Sequence, residues 1–219
     1  MMEDVIIRRF EEQDRQAVRE SAWDTAFIGE PADAFFQGKD ILSDFLTGYF
    51  TDYEPGACFV AESEGKVVGY LIASENAAAM AETFAKKILA GLMARFIFSG
   101  AVFRPKNLRM IMAFFLSLFK GEFKMAEIGN EYPAALHINI IKEFRGSGTG
   151  SRLIKALEEY LRSRHTVGMH LATMSASSGE FFRQQGFTLL HRYPRSYFRH
   201  ILGRDIIVYV YGKKLSPKS

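Results

Sequence analysis

Cysteine is almost missing from this chain: Cys58 is the sole thiol in 219 residues. No internal disulfide can form, so the fold does not depend on an oxidising compartment. Cys58 lies in an apolar run without the local signature of a thiol nucleophile. Surplus charge is scarce too, and a formal net charge of +3 is too small to point to a nucleic-acid partner. Uncharged apolar runs are short. The richest region is interrupted by Lys86, Lys87, Arg95 and Arg109, so none reaches the roughly 18 residues of a membrane span and no integral span is expected. The opening MMEDV has acids where a secretory signal has bases, and it lacks an apolar h-region, which makes a cytoplasmic location the expectation. His137, His165, His170, His191 and His200 show no H-x₃-H spacing with a partner carboxylate on a helix, so no metal is implied.

What is present is concentrated between Leu136 and Phe187. The apolar run LHINII leads into Arg145-Gly146-Ser147-Gly148-Thr149-Gly150 and on into a helical pattern. Glycines let the backbone turn sharply and approach a ligand, and the first N–H groups of a helix have no partner within it. The helix dipole and Arg145 both favour an anion there. A dinucleotide loop would read G-x-G-x-x-G with an acid about 20 residues on; here the third glycine comes one residue early and the later strand reads His170-Leu171-Ala172-Thr173. A Walker loop would place Lys after its last glycine, and no Lys follows any of these.

The remaining pattern, R-G-x-G-x-G between strand and helix, resembles the acyl-CoA pyrophosphate loop of the GNAT superfamily of N-acetyltransferases. The resemblance continues through a strand at Met169–Met174, a short helix at Ser178–Gln185 with Phe181-Phe182, Gly186-Phe187, and a strand at Thr188–Tyr193. Upstream, the run from Cys58 to Ile72 is similar to the family hairpin whose apolar pair precedes Gly69-Tyr70. Val5–Arg9 and Asp205–Tyr211 supply first and last strands. Glu131 to Ile140 also resembles a subgroup of stand-alone bacterial acetyltransferases and the acetyltransferase-like domain of O-GlcNAcases. The resemblance implies an α/β (α+β) GNAT acyl-CoA N-acyltransferase fold, with a mixed central sheet of about seven strands flanked by helices. One domain over residues 1–219 suffices, since a core of this size buries about 70% of the unfolded chain's surface.

Helical spacing is expected over Glu11–Trp23 and, more loosely, from Asp33 to Tyr49, before the Pro55-Gly56 break. In this family such early helices line the acceptor groove. Residues from about 76 to 125 form a helical insertion before the cofactor-binding strand, reading as Ala78–Phe98 and Pro105–Phe119, with Gly121 as a stop. The insertion is expected to pack beside the acceptor site as a lid, wall or homodimer contact; a membrane-surface helix is a further alternative. Arg192, Arg195, Arg199, His200 and Arg204 with Tyr193 and Tyr197 read as a solvated loop before the last strand, with a CoA 3′-phosphate or an anionic acceptor as the alternative ligand.

The resemblance implies acetyl-CoA as co-substrate and no metal. Carried over by position, the backbone at Ile138, Asn139 and Ile140, on a bulged strand, binds the pantetheine arm and thioester carbonyl. Arg145, Gly146, Ser147, Gly148, Thr149, Gly150 and Ser151 hold the pyrophosphate, and Ser175, Ser178 and Phe182 complete the cofactor site. Strand alternation puts His137 and Asn139 on one face, and His137 is the candidate base, with Glu131 as the other and Tyr132 as a substrate-orienting group. The sequence departs from the family at Phe182, where many members have a tyrosine acid, and at Ser175, where many have asparagine. Tyr193 or Tyr197 would then have to protonate the thiolate, unless no group does. The expected function is acetyl transfer to a primary amine of a small molecule. A catalytically weak CoA-binding module and a protein or peptide acetyltransferase are the alternatives.

Overall fold

The computed structural model describes residues 4–124, 126, 128 and 130–215. The reading of the N-terminal signal falls partly on Met1–Glu3, and that of the insertion's end on Met125; both lie outside the described residues. The chain runs β1 (Ile6–Arg9), α1 (Arg15–Thr25), α2 (Lys39–Tyr53), β2 (Phe59–Ser63), β3 (Lys66–Ser74), α3 (Ala77–Thr83), α4 (Leu89–Phe98), α5 (Pro105–Phe119) and β4 (Ala134–Ile140). It continues through α6 (Thr149–Ser163), β5 (Gly168–Thr173), α7 (Ser178–Gln184), β6 (Thr188–Arg195), α8 (Arg199–Leu202) and β7 (Ile206–Lys214). Seven strands form one mixed sheet in the order β1-β2-β3-β4-β5-β7-β6. Among the described residues only the β4–β5 pair is parallel.

Local chemistry explains the expected elements and their small shifts. Glu64 and Gly65 both have positive φ, as a two-residue hairpin turn between β2 and β3 requires. The second helix starts later than its apolar spacing suggests, because Gly38 at φ 143° breaks the chain after the single turn Ala32–Ala34. Leu153, Ile154, Leu157 and Leu161 recur at helical spacing and are fully buried, which seats α6 on one face of the sheet. Burial of each such side chain contributes about 1.5–3 kcal/mol. The other face carries Val60, Tyr70 and Ile72 against Val18 and Ala22 of α1.

The insertion packs against the segments around α1 and α2 and against the chain before β7. Its α3 and α4 are joined by a π-helical turn, Phe84–Ile88. Met110 of α5 packs with Phe27, Phe35 and Phe198. Asn107 is fully buried: its amide donates to the Gln37 and Ala101 carbonyls at 2.7 and 2.8 Å and accepts from the Gln37 N–H at 2.7 Å. Leucine at this position would leave those backbone groups unpaired, at about 1–3 kcal/mol for each buried group. Asn107→Leu is therefore expected to lower stability by about 2–4 kcal/mol in urea unfolding and to make the 99–104 turn the first site of proteolysis.

Candidate active site

The site begins where two strands part. Strands β4 and β5 pair only at Ala134↔Met169 and Ala135↔His170, so beyond these pairs they diverge and open a wedge toward the glycine loop. Just past β4 the Ile141 N–H donates to the Val68 carbonyl of β3. Alternation then turns the backbone groups of Asn139 and His137 to β3, and those of Ile138 and Ile140 to the wedge. A Cβ on Gly69 of β3 would sit 3.1 Å from the Asn139 carbonyl oxygen, so glycine there keeps the two strands close without crowding. The register of β3 with β4 is unbroken from Gly69↔Ile140 to Ser74↔Ala135. Two expectations are corrected here. No bulge frees the β4 edge, since strand divergence does so, and the Asn139 main chain faces the sheet, leaving its side chain as its contribution.

At the wide end of the wedge, α6 starts without a side-chain cap. Gly146 and Gly148 have φ 79° and 82°, and a Cβ at either would meet nothing within 4 Å. The space over the loop is open, and the first N–H groups of α6, from Thr149, Gly150 and Ser151, face it. Arg145 Nε bonds the Ile140 carbonyl at 2.9 Å, which holds the guanidinium at the same end. These features fit a pyrophosphate.

Not every loop residue acts as expected. A Cβ on Gly150 would lie 2.9 Å from Phe181 Cζ and 3.2 Å from Ile140 Cδ1, so this glycine serves helix packing. Thr149 is 2% exposed and shares a 2.7 Å hydrogen bond with Ser147 Oγ, which in turn donates to the Phe144 carbonyl. Its hydroxyl is thus withdrawn from the open space, and its backbone N–H is what it offers.

Across the wedge, Ser175 and Ser178 stand half-buried at the start of α7, and Ser175 Oγ is 2.9 Å from Ser177 Oγ. Phe182 does not line the wedge. It is 5% exposed and packs with Phe187 and Tyr211 in the core, while the neighbouring Phe181 meets the loop helix. Tyr193 accepts a bond from the Ala126 N–H, which ties it to the insertion. Tyr197 is stacked on Phe114, with its hydroxyl 3.9 Å from Met174 Sδ just past the open end of β5. Tyr211, which no sequence pattern singles out, has its hydroxyl 2.3 Å from where a Cβ on Gly179 would lie, directly under α7.

On the opposite face a cavity of about 260 Å³ lies over the wedge, lined by His137, His170, Leu46, Phe50, Met80 and Val210. The Asn139 amide donates to Tyr70 Oη at 2.8 Å and to His137 Nε2 at 2.9 Å. Burial pushes the His137 pKa down to about 4, so the ring is neutral at pH 7. With Nε2 occupied as acceptor, its proton resides on Nδ1 and no lone pair is free.

His170, to which the sequence assigned no role, has the opposite arrangement. Its Nδ1 is 2.7 Å from the Tyr132 carbonyl and must donate to it, which puts the neutral ring's lone pair on Nε2, with the Ala134 backbone also beside the ring. Burial lowers its pKa as well, so it too is neutral. The sequence did hold a signal: alternation along β5 opposes His170 and Ala172 to the core residues Met169 and Leu171.

Other expectations are relocated. Glu131 is exposed and ion-paired with Lys214 at 3.1 Å, before the closed end of the wedge, and does not line the cavity. The Tyr132 ring packs over Gly212. The basic stretch is strand β6 and helix α8, with Arg195 buried over Tyr193 and Arg199 doubly bonded to Asp205, instead of a solvated loop. Cys58 is fully buried with its thiol pKa pushed up to about 12, which makes it inert.

Comparison with known proteins agrees with this geometry. Residues 112–187 match the model of the acetyltransferase (GNAT) family. None of the curated proteins matches the chain in sequence. Among solved structures, SsHAT superposes with a TM-score of 0.73 at 20% identity, over 97% of this chain and 99% of that one. The Drosophila melanogaster polyamine N-acetyltransferase superposes at 0.59 and 15% identity, over 97% and 100%. The ribosomal-protein-alanine N-acetyltransferase from Brucella melitensis superposes at 0.56 and 20% identity, over 96% and 99%. At these identities the likeness to solved structures is one of fold.

Proposed function

The chain belongs to the GNAT superfamily of acyltransferases, and on that premise we propose that it transfers an acetyl group from acetyl-CoA to a primary amine of a small molecule. The observation that carries the choice of acceptor is the cavity of about 260 Å³, with apolar walls from Leu46, Phe50 and Val210 and a wall from Met80 of the insertion. Such a space suits a compact amine better than a peptide. The neighbours do not choose between these, since one is named for polyamines and another for a ribosomal protein's alanine. We read the chain as one acetyltransferase domain with its insertion, acting in the cytoplasm.

In this reading, the N–H groups of Thr149, Gly150 and Ser151 bind the pyrophosphate, with Arg145 beside them. The pantetheine arm lies in the wedge and bonds the free edge of β4 at Ile138 and Ile140. The amine enters from the cavity as its neutral form, which the apolar walls favour over the ammonium. Its nitrogen attacks the thioester carbonyl, and the new N–C bond makes its proton strongly acidic. Nε2 of His170 takes that proton as general base. His137, held by Asn139 and Tyr70, offers Nδ1–H as a donor to the acceptor or to the developing oxyanion. Collapse breaks the C–S bond, and CoA leaves as a thiolate that is protonated to the thiol. A thiol with a pKa of about 8.5 leaves without an acid, which accommodates Phe182.

A second reading, a CoA-binding module with little turnover, is favoured by one observation: Phe182 has no proton to give and its ring is in the core. A thiol-release assay with acetyl-CoA against a panel of diamines, aryl amines, amino sugars and short peptides separates the readings. Release with one class of small amine supports transfer to a small molecule. Release with peptides alone contradicts it, and binding without release supports the module.

A further inference from the structure

The insertion turns its apolar side outward. In α5 the buried positions are Asn107, Met110 and Ser117, two of them polar, whereas Leu108, Met112, Phe115 and Phe119 are exposed. At about 100° per residue those four form one stripe along the helix. The same inversion occurs in α4: Leu92 and Phe96 face in, while Leu89, Met93 and Ile97 form an exposed stripe that ends at Phe98. Phe98 is 88% exposed, Phe119 86% and Phe103, in the turn between the helices, 72%. Large apolar residues exposed together in this way mark a docking surface.

Charge identifies what docks. Residues 77–124 hold eight Lys or Arg against two Glu, whereas the whole chain is only +3. On the helical scale Arg109 and Lys120 border the α5 stripe, and Arg104, Arg109 and Lys124 make no ion pair among the described residues. Among those residues no helix is long and apolar enough to cross a membrane. Two copies meeting face to face would bring their basic surfaces together, which disfavours self-association here. We propose that α4, α5 and the turn between them dock the enzyme on an anionic lipid bilayer, lying in the plane of the interface. The phenylalanines enter the acyl boundary and the basic side chains remain among the headgroups.

Co-sedimentation of the full chain with vesicles tests this, and its readout is independent of turnover. Vesicles of phosphatidylcholine with about one-third phosphatidylglycerol are expected to bind the protein at least about tenfold better than phosphatidylcholine alone, and about 0.5 M salt should weaken that binding strongly. The pair Phe115→Glu and Phe119→Glu should abolish it. The triple variant Arg104→Glu, Arg109→Glu and Lys124→Glu should weaken it about tenfold or more, with an unchanged melting curve as the fold control. Absence of binding to anionic vesicles would overturn the proposal. So would binding that neither set of variants reduces, or a dimer by light scattering that Phe119→Glu dissociates.

Discussion

Ser147→Asp is expected to weaken acetyl-CoA binding about a hundredfold without lowering the melting temperature of the ligand-free protein. Ser147 is exposed, immediately before Gly148, at the uncapped start of α6. A carboxylate there gives up the exposed bond to the Phe144 carbonyl but accepts from the free N–H groups and from Thr149 and complements the helix dipole, so the net cost to the fold is small. The same carboxylate occupies the space of the pyrophosphate and repels it. Two like charges about 6 Å apart at an effective dielectric of about 20 repel by on the order of 2–3 kcal/mol, which sets the hundredfold. Thr149→Asp is a poorer probe, because Thr149 is buried and a charge there would damage the fold as well. Calorimetric titration checks the effect, and a variant that binds acetyl-CoA like the wild type would remove the loop from the site.

The second large effect falls on the two imidazoles. His170→Gln is expected to lower kcat about 10²–10³-fold, the range of a lost general base, with little change in the KM for acetyl-CoA. His137→Gln should cost less, about tenfold, since a glutamine can still bond Asn139 and donate to the cavity. The pH dependence follows from the direction of the shift. Burial holds the His170 pKa below its ordinary 6.5, so the neutral base predominates at pH 7. Beyond the drop set by the amine's own protonation, a further fall on acidification should begin only below that value, as Nε2 becomes protonated. In His170→Gln this acidic limb should disappear, leaving any dependence on the amine's own ionisation. Equal losses in the two variants, or a His170→Gln profile that keeps the wild-type drop below 6.5 in excess of the drop set by the amine's own protonation, would contradict the assignment.

The parts legible in the sequence are those fixed by near neighbours. Gly146 and Gly148 stand at positive φ, a conformation that selects glycine and so leaves a trace in the residue itself. The strand–loop–helix order around them is contiguous, and the hairpin and most helices lie within a few residues of their patterns, the later start of α2 at Lys39 being the exception. The alternation of β4 correctly put His137 and Asn139 on one face, with Leu136, Ile138 and Ile140 in the core.

The parts not legible depend on partners distant in the chain. Phe181 and Phe182 are adjacent, and about 100° of helix rotation decides which meets the loop and which enters the core; packing against Gly150 and Tyr211 makes that choice. His170 gains its Nε2 lone pair from the carbonyl of Tyr132, 38 residues earlier. His137 loses its lone pair to Asn139, whose orientation is fixed by Tyr70 on another strand. A histidine's residue type shows that it can act as a base, and its hydrogen-bond partners decide whether it does.

The central claim is that the wedge and the open helix terminus hold an acyl-CoA. A thermal-shift titration with acetyl-CoA, CoA and NAD in parallel tests it most directly, because a ligand at 100 times its Kd stabilises the folded state by about 2.7 kcal/mol. Saturable shifts with acetyl-CoA and CoA are expected, with none for NAD and loss of the acetyl-CoA shift in Ser147→Asp at the same concentration. No shift with either CoA species, or an equal shift with NAD, would contradict it.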